Sequence, residues 1–282
     1  MSGPLYVIGS GGYIGSMIRE IFPTDSLIRV EKNNSRISQN FLNQVPKKVP
    51  QGSTCIILAA LSNLKKCEKN KKMAFKTNVE LVKKICDLNF KKIVFASTSS
   101  VYGSSKDYAT EESAPYITSY YAETKLLAEE IILSDNNNIV ARLAIVIGQS
   151  PRTNWSQLVN NMVKTSLDGL RINIYGPNSF RPYYDVFDVA KGLIFLMDTN
   201  YFNSQIVNVG NTLQNISKLD LIKEIKKLLP SINYIIESEH DKRNYKVSFK
   251  KFEKRFNHSI NLNNTLKNLI KYYKTIGNKS QV

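Results

Sequence analysis

The sequence predicts an α/β protein: a doubly wound parallel sheet with helices on both faces, and a smaller C-terminal α/β lobe. Over the first 150 residues, short β-branched runs alternate with amphipathic helical stretches. The first run ends in a glycine cluster that opens directly into a helix, the usual join of a parallel αβ unit. Past Pro151 the alternation loosens, as expected of a lobe packed over the carboxyl edge of the sheet. Residues 5–9 form the first strand, an apolar run closed by Gly9, and residues 12–22 the helix after it. Residues 27–30 are the second strand. Residues 54–59 are apolar throughout, as a strand covered on both faces should be. A long helix spans 65–89, a strand 92–97, a helix 119–133 and a strand 139–146. Beyond them come a helix at 155–167, a short strand at 171–175, helices at 189–197 and 218–229, a strand at 206–209 and a closing helix at 262–273. The interval between Val30 and Thr54 is short for two αβ units, so one element is missing there. Residues 1–150 are read as one domain, with 177–210 returning to it, and 151–176 plus 211–282 as the substrate lobe.

Composition narrows the function classes. With 282 residues, 42% hydrophobic and 22% charged, the chain can bury a full core. No apolar run reaches the ~18 residues of a membrane-spanning helix, and nothing ahead of the first strand resembles a signal peptide. Three cysteines without CxxC spacing fit a reducing compartment, so a cytoplasmic protein is expected. Two histidines, His240 and His258, lie away from every cysteine, and no metal site is expected. The net charge of +16 invites a nucleic-acid reading, but the lysines are spread along helix faces and no zinc finger, aromatic RNA-binding strand or basic arm is present. The expected partner is a small anion, such as a nucleotide, drawn in by the field of a basic protein.

Gly9, Gly12 and Gly15 stand in a GxxGxxG loop between a strand and a helix. A dinucleotide needs such a turn, free of side chains, so that backbone N–H groups of the loop, including Tyr13 and Ile14, and the helix N-terminus meet the pyrophosphate. This is the Rossmann-type arrangement. Sixteen residues past Gly15, Glu31 ends the second strand; a carboxylate there accepts both ribose hydroxyls and repels a 2′-phosphate, which favours NAD. Lys32 and Arg36 leave NADP open.

Tyr121 and Lys125 lie four apart on one helix and so share a face. A free phenol has a pKa near 10, and a lysine ammonium with an oxidised nicotinamide beside it favours the phenolate. The same spacing also suits a surface pair, whereas Tyr120 meets only Thr124. Ser97 to Ser100 form a run of hydroxyls at the end of a central strand, where α/β sheets bind ligands, and the Thr98 hydroxyl can hold the oxygen whose proton Tyr121 moves.

Taken in order, these segments resemble the extended short-chain dehydrogenase/reductase family, the NAD-dependent nucleotide-sugar epimerases, dehydratases and reductases. The likeness runs from the glycine loop through Leu58–Ser62, Asn78-Val79, Thr98–Gly103, Tyr121–Lys125, Arg142–Gly148, Ile174–Gly176 and Arg181–Ala190 to Asp241–Val247. The resemblance implies Thr98, Tyr121 and Lys125 as the catalytic set; Ala59, Ala60, Leu61, Asn78 and Ser97 at the cofactor; and Ser62, Thr98, Ser99, Arg181 and Arg243 at the substrate. The two arginines would grip a nucleotide diphosphate through their planar forks, although Arg181 can instead pair with Asp185 or Asp188, and Arg243 lies in a lysine-rich stretch. The resemblance also implies nucleotide-sugar metabolism and a homodimer formed through the catalytic helix, for which Leu126, Leu127, Ile131 and Ile132 offer an apolar face.

Two departures bear on the reaction. The family's dehydratases carry an Asp-Glu pair after the catalytic threonine, where this chain has Ser99 and Ser100, so dehydration is not expected. Ile145 stands where many members have a substrate-touching asparagine. Hydride exchange at a sugar carbon, most simply C4, serves an epimerase, a 4-keto-sugar reductase or a dehydrogenase alike. A reductase of small carbonyl compounds and a non-catalytic NAD(H)-sensing binding protein are the further readings.

Overall fold

The computed structural model describes residues 3–22, 27–30, 45–237, 241 and 243–279. Glu31, Lys32, Arg36 and most of the interval expected to lack an element lie outside them. Six strands form a fully parallel sheet: β1 (Leu5–Ile8), β2 (Leu27–Val30), β3 (Thr54–Ile57), β4 (Lys92–Thr98), β6 (Ile139–Leu143) and β10 (Gln205–Val209). Their order is β10-β6-β4-β3-β1-β2. The chain leaves β1 toward β2 and then crosses back to β3, so the order reverses between β1 and β3, the place where doubly wound sheets open a ligand crevice.

Side-chain alternation explains the two cores. Leu5, Val7, Ile56, Val94 and Ala141 face α1 (Tyr13–Ile21) and α7 (Val186–Asp198), which contribute Met17, Ile18, Val189 and Leu193. Tyr6, Ile8, Cys55, Ile57, Phe95 and Val140 point the other way, onto α4 (Leu81–Cys86) and α5 (Tyr120–Leu133). Both faces are covered, which is why the strands read as continuous apolar runs. A third core, around Met162, Val163, Ile174, Leu221, Ile225, Leu266 and Leu269, belongs to α6 (Leu158–Leu167), β8 (Ile172–Tyr175), α8 (Lys218–Leu228) and α10 (Leu262–Lys279).

The structure departs from the sequence reading in three places. The helix expected over 65–89 is α2 (Leu64–Lys69), α3 (Lys71–Phe75), a π-helical turn (Lys76–Glu80) and α4. Asn63 and Asn70 accept from the Lys66 and Met73 amides and start α2 and α3, the usual work of an N-cap asparagine. The strand expected over 139–146 is two strands in two sheets. After β6 the Ala144 amide still bonds to Val209, and the chain then leaves as β7 (Ile145–Ile147) to pair with β9 (Phe180–Asp185). No Gly or Pro marks that break, because Leu143 through Ile147 stay buried or half-buried on both sides of it. Finally, β5 (Ser104–Ala109) pairs with β13 (Asn244–Val247), and β12 (Tyr234–Glu237) pairs with the expected strand β8; β5, β12 and β13 are not among the strands expected from the sequence. In the 177–210 segment, β10 pairs with β6 at the end of the main sheet, while β9 joins β7 and β11 (Asn215–Ser217). Among the described residues, no helix is long and apolar enough to cross a membrane.

Candidate active site

The reversal between β1 and β3 opens a cleft of about 940 Å³, floored by the carboxyl ends of β1, β3, β4 and β6. Gly9 ends β1 at φ +95°, a backbone state that side chains resist, and a Cβ there would lie 2.9 Å from the Ala59 amide nitrogen. The Gly12 amide closes the loop on the Gly9 carbonyl at 3.0 Å. A Cβ on Gly15 would sit 2.4 Å from that same carbonyl, so only glycine lets α1 start this close to the strand. Gly12 caps α1 without a side chain, leaving the helix N-terminus to the cleft. A cradle that a Cβ would fill, beside a bare helix end, fits a pyrophosphate. Ile14 lines it. Tyr13 does too, but its hydroxyl reaches the lobe, donating to the Gly148 carbonyl at 2.5 Å and accepting from Asn160 at 3.2 Å.

The opposite wall is Ala59, Ala60, Leu61 and Ser62. Asn78, expected at the cofactor, does not line the cleft. It is 1% exposed on the π-helical turn, and its amide is spent on the Leu61 N–H (2.7 Å), the Leu61 carbonyl (3.2 Å) and Thr124 Oγ1 (2.9 Å). Its reach is through Leu61, whose backbone it clamps.

Thr98, Tyr121 and Lys125 share the cleft with the glycine loop. Ser119 caps α5 and the helix presents Tyr121 and Lys125 on its inner face. Lys125 is 1% exposed with Nζ 3.8 Å above the Phe95 ring, so the pair is not a surface pair. Burial pushes the Lys125 ammonium down to about 7, opposed by the Glu129 carboxylate. Burial also pushes the Tyr121 phenol well above its usual value, Cys67 adds to this, and a hydrogen bond with Thr98 pulls the other way. The expected acidification pairs the ammonium with an oxidised nicotinamide; in the polypeptide alone, burial outweighs what favours the phenolate. The lysine is desolvated along with the tyrosine, and the polypeptide alone holds the phenol in its protonated form. The Thr98 hydroxyl also pairs with that of Ser100 at 2.8 Å. The Ser97 hydroxyl is turned below the floor to Glu129. Ser99, expected at the substrate, is 1% exposed with its hydroxyl against the Tyr245 phenol, and Ser100 lines the cleft in its place. In the 3-10 turn at Ser99–Tyr102 the side chains of Ser99, Val101 and Tyr102 are buried, and that of Ser100 is left to the cleft.

At the lobe end, Arg181 and Arg243 converge on Asp241. The Arg181 guanidinium, 2% exposed, stands 2.9 Å from the Asp241 carboxylate and 5.1 Å over the Tyr245 ring; Arg243 reaches the carboxylate at 3.2 Å. The alternative pairing of Arg181 is excluded, since Asp185 caps α7 and accepts from Thr265, and Asp188 accepts from Ser259 and Ile260. Lys218, which the sequence reading did not single out, adds a third cation at 2.7 Å from Asp241. Its signal was an anomaly: Ser217 caps α8, which puts a lysine at the positive end of a helix. Burial alone would raise the Asp241 carboxyl, but the Lys218 hydrogen bond and the arginine charges hold it well below the usual range. Among the described residues three cations face one carboxylate here, and Arg181 Nη2 is buried without a hydrogen bond of its own. Ile145, Arg152, Asn154 and Gln157 complete the lobe wall. Among the described residues no cluster of His, Cys, Asp and Glu could hold a metal ion.

A doubly wound sheet, a glycine cradle at its switch point and a hydroxyl–phenol–lysine set beside it define a Rossmann-type protein with a dinucleotide-shaped cleft. The profile of the NAD dependent epimerase/dehydratase family matches residues 5–210, and the chain belongs to that family. It is 27% identical over 175 residues to UDP-glucuronic acid decarboxylase 1 of Danio rerio, covering 57% of this chain and 41% of that protein. It is 23% identical over 175 residues to UDP-glucose 4-epimerase of Yersinia enterocolitica, covering 54% and 52%. The chain thus spans about half or less of the curated relatives it matches. The solved structure of MoeE5 in complex with UDP-glucose and NAD superposes with a TM-score of 0.82 at 22% identity, over 97% of this chain and 99% of that one, a likeness of fold.

Proposed function

We propose that this protein is an NAD-dependent nucleotide-sugar epimerase or oxidoreductase that exchanges a hydride with a sugar carbon, most simply C4, with Tyr121 as general acid and base. The observation that carries this reading is the placement of Thr98, Tyr121 and Lys125 in one cleft between the glycine cradle and the Arg181–Lys218–Arg243 cluster. The glycine loop, Ala59–Leu61 and Lys125 would hold NAD; the basic end would hold the diphosphate of a nucleotide sugar, as arginine forks do. When bound, oxidised NAD supplies the hydride acceptor and a positive charge beside the phenol. Tyr121 takes or gives the hydroxyl proton, Thr98 holds the oxygen that carries it, and the apolar walls keep water out. The relatives' names, one a UDP-glucose 4-epimerase and one a UDP-sugar decarboxylase, agree with a nucleotide-sugar substrate.

Thermal-shift measurements with NAD(H), NADP(H) and UDP-, GDP-, CDP- and dTDP-sugars test the reading. NAD together with one nucleotide-sugar class should raise Tm by several degrees, since a ligand at 100 times its Kd adds about 2.7 kcal/mol. Stabilisation by NAD(H) alone would instead mark a sensor.

A homodimer through the catalytic helix belongs to the same proposal, on a different face from the one the sequence suggests. Ile132 and Ile131 pack into the second core, which leaves Glu123, Leu127 and Glu130 as the exposed strip of α5, beside exposed Phe75 and Ile117 and the lysines of α2 and α3. Acidic and basic strips lying side by side suit two-fold pairing. Sedimentation should give twice the chain mass, and a single-chain mass would remove the dimer.

A further inference from the structure

Beneath the cleft floor lies a buried charge network that hydride transfer does not by itself require. Glu129 is 1% and Arg142 2% exposed. Arg142 donates to both carboxylate oxygens, from Nε at 3.1 Å and Nη2 at 2.7 Å, and from Nη1 to the Tyr102 hydroxyl at 3.0 Å. Tyr102 passes the chain on to Asn208 at 2.8 Å. The remaining reach of Glu129 goes to the Ser97 hydroxyl, one residue before Thr98. A charge inside the apolar run of β6 is expensive unless paired and hydrogen-bonded, and a hydrophobic pair of similar volume commonly serves stability as well or better. The ion pair therefore calls for a use other than stability, and its position supplies one. Glu129 sits one helical turn beyond Lys125 on the same face of α5, and Lys125 Nζ otherwise lies against the Phe95 ring.

We propose that Glu129 is a positioning residue of the cleft, a single carboxylate that ties the catalytic helix to the ends of β4 and β6 through Ser97 and Arg142 and supplies the negative charge facing Lys125. Arg142, which holds both oxygens of that carboxylate, offsets the charge the lysine feels. Among the described residues, the groups placed about Lys125 include Tyr121 and Glu129 on its own helix and Phe95 from β4, with Cys67 of α2 acting on Tyr121 and Arg142 of β6 paired to Glu129. Burial disfavours the ammonium and the Glu129 charge, one helical turn away, opposes that shift, so a change in the carboxylate should move the charge of the lysine. The catalytic meaning rests on the hydride-transfer reading above, whereas the charge assignment does not.

The test reads Lys125 directly. In protein labelled with ¹³Cε-lysine, the Lys125 resonance is identified by its loss in Lys125→Arg and followed through pH 5–10. Glu129→Gln, which keeps the shape and removes the charge, should lower its midpoint by about one pH unit. Arg142→Met, which frees the carboxylate, should raise it. Glu129→Gln/Arg142→Met should fall between wild type and Glu129→Gln, because the nearer charge dominates, and Glu129→Asp should restore most of the wild-type value. The double variant removes both charges and keeps the test open if either single variant fails to fold. A Lys125 midpoint unchanged in the folded variants would overturn the proposal, whatever they do to Tm, since a purely structural pair would lower stability and leave the titration where it was. If the midpoints move while Tyr121→Phe turns over at the wild-type rate, the charge assignment stands and the hydride-transfer reading falls.

Discussion

Tyr121→Phe should lose turnover by about 10²–10⁴-fold, the usual worth of a positioned general acid or base, while Tm and its rise with NAD stay within a degree or two of wild type. The substitution removes one hydroxyl and leaves the ring that fills the cleft wall. The protein lowers the cost of that hydroxyl's proton transfer in one visible way, the hydrogen bond from Thr98, and raises it in another, by burying the phenol beside Cys67. Burial raises the phenol, and a positive group bound beside it would favour the phenolate, so proton transfer is expected to depend on cofactor occupancy. The assay is turnover of whichever nucleotide sugar stabilises the wild type, run beside NAD-dependent Tm. Activity within threefold of wild type would remove Tyr121 from the chemistry; loss of the NAD-dependent Tm rise would show that the phenol holds the cradle instead.

Gly9→Val should abolish NAD-dependent stabilisation and lower unfolding stability. A β-branched residue held at φ +95° carries about 1–3 kcal/mol of backbone strain, and its Cβ would stand 2.9 Å from the Ala59 amide nitrogen, an amide that already bonds the Ile8 carbonyl. Relief requires β1 and the Ala59 strand end to part, which opens the switch point itself. Denaturant midpoints and NAD titration measure the two effects. A Gly9→Val protein with wild-type NAD affinity would show that the pyrophosphate does not lie on this loop.

The lobe end of the cleft behaves differently from the floor. Arg181, Lys218 and Arg243 come from β9, the start of α8 and the approach to β13, and meet only because Asp241 draws all three. A diphosphate entering there would compete with a carboxylate for the buried Arg181 and Lys218 and for the partly exposed Arg243.

Much of the framework was legible in the chain. Apolar runs marked β1, β3, β4 and, around Arg142, β6, because both faces of the sheet are covered. Gly9, Gly12 and Gly15 marked the cradle because no side chain fits there, and the Tyr121–Lys125 spacing marked one helix face. These signals are local, fixed by backbone sterics and the periods of strand and helix. Asn78 and Ser99 were expected at the cofactor and the substrate but do not line the cleft, since that depends on which way a π-helical turn and a 3-10 turn direct their side chains.

The sequence by itself determined the doubly wound sheet, the glycine turn and the residues with chemistry to offer. Only the tertiary structure decided that Arg181 meets Asp241, 60 positions away, rather than Asp185; that the run after Arg142 divides between two sheets; and that Glu129 shares one carboxylate between Arg142 and Ser97. The physical reason is that burial, and with it the strength of every charge and hydrogen bond in the cleft, is a property of what packs around a residue, and those neighbours come from elsewhere in the chain.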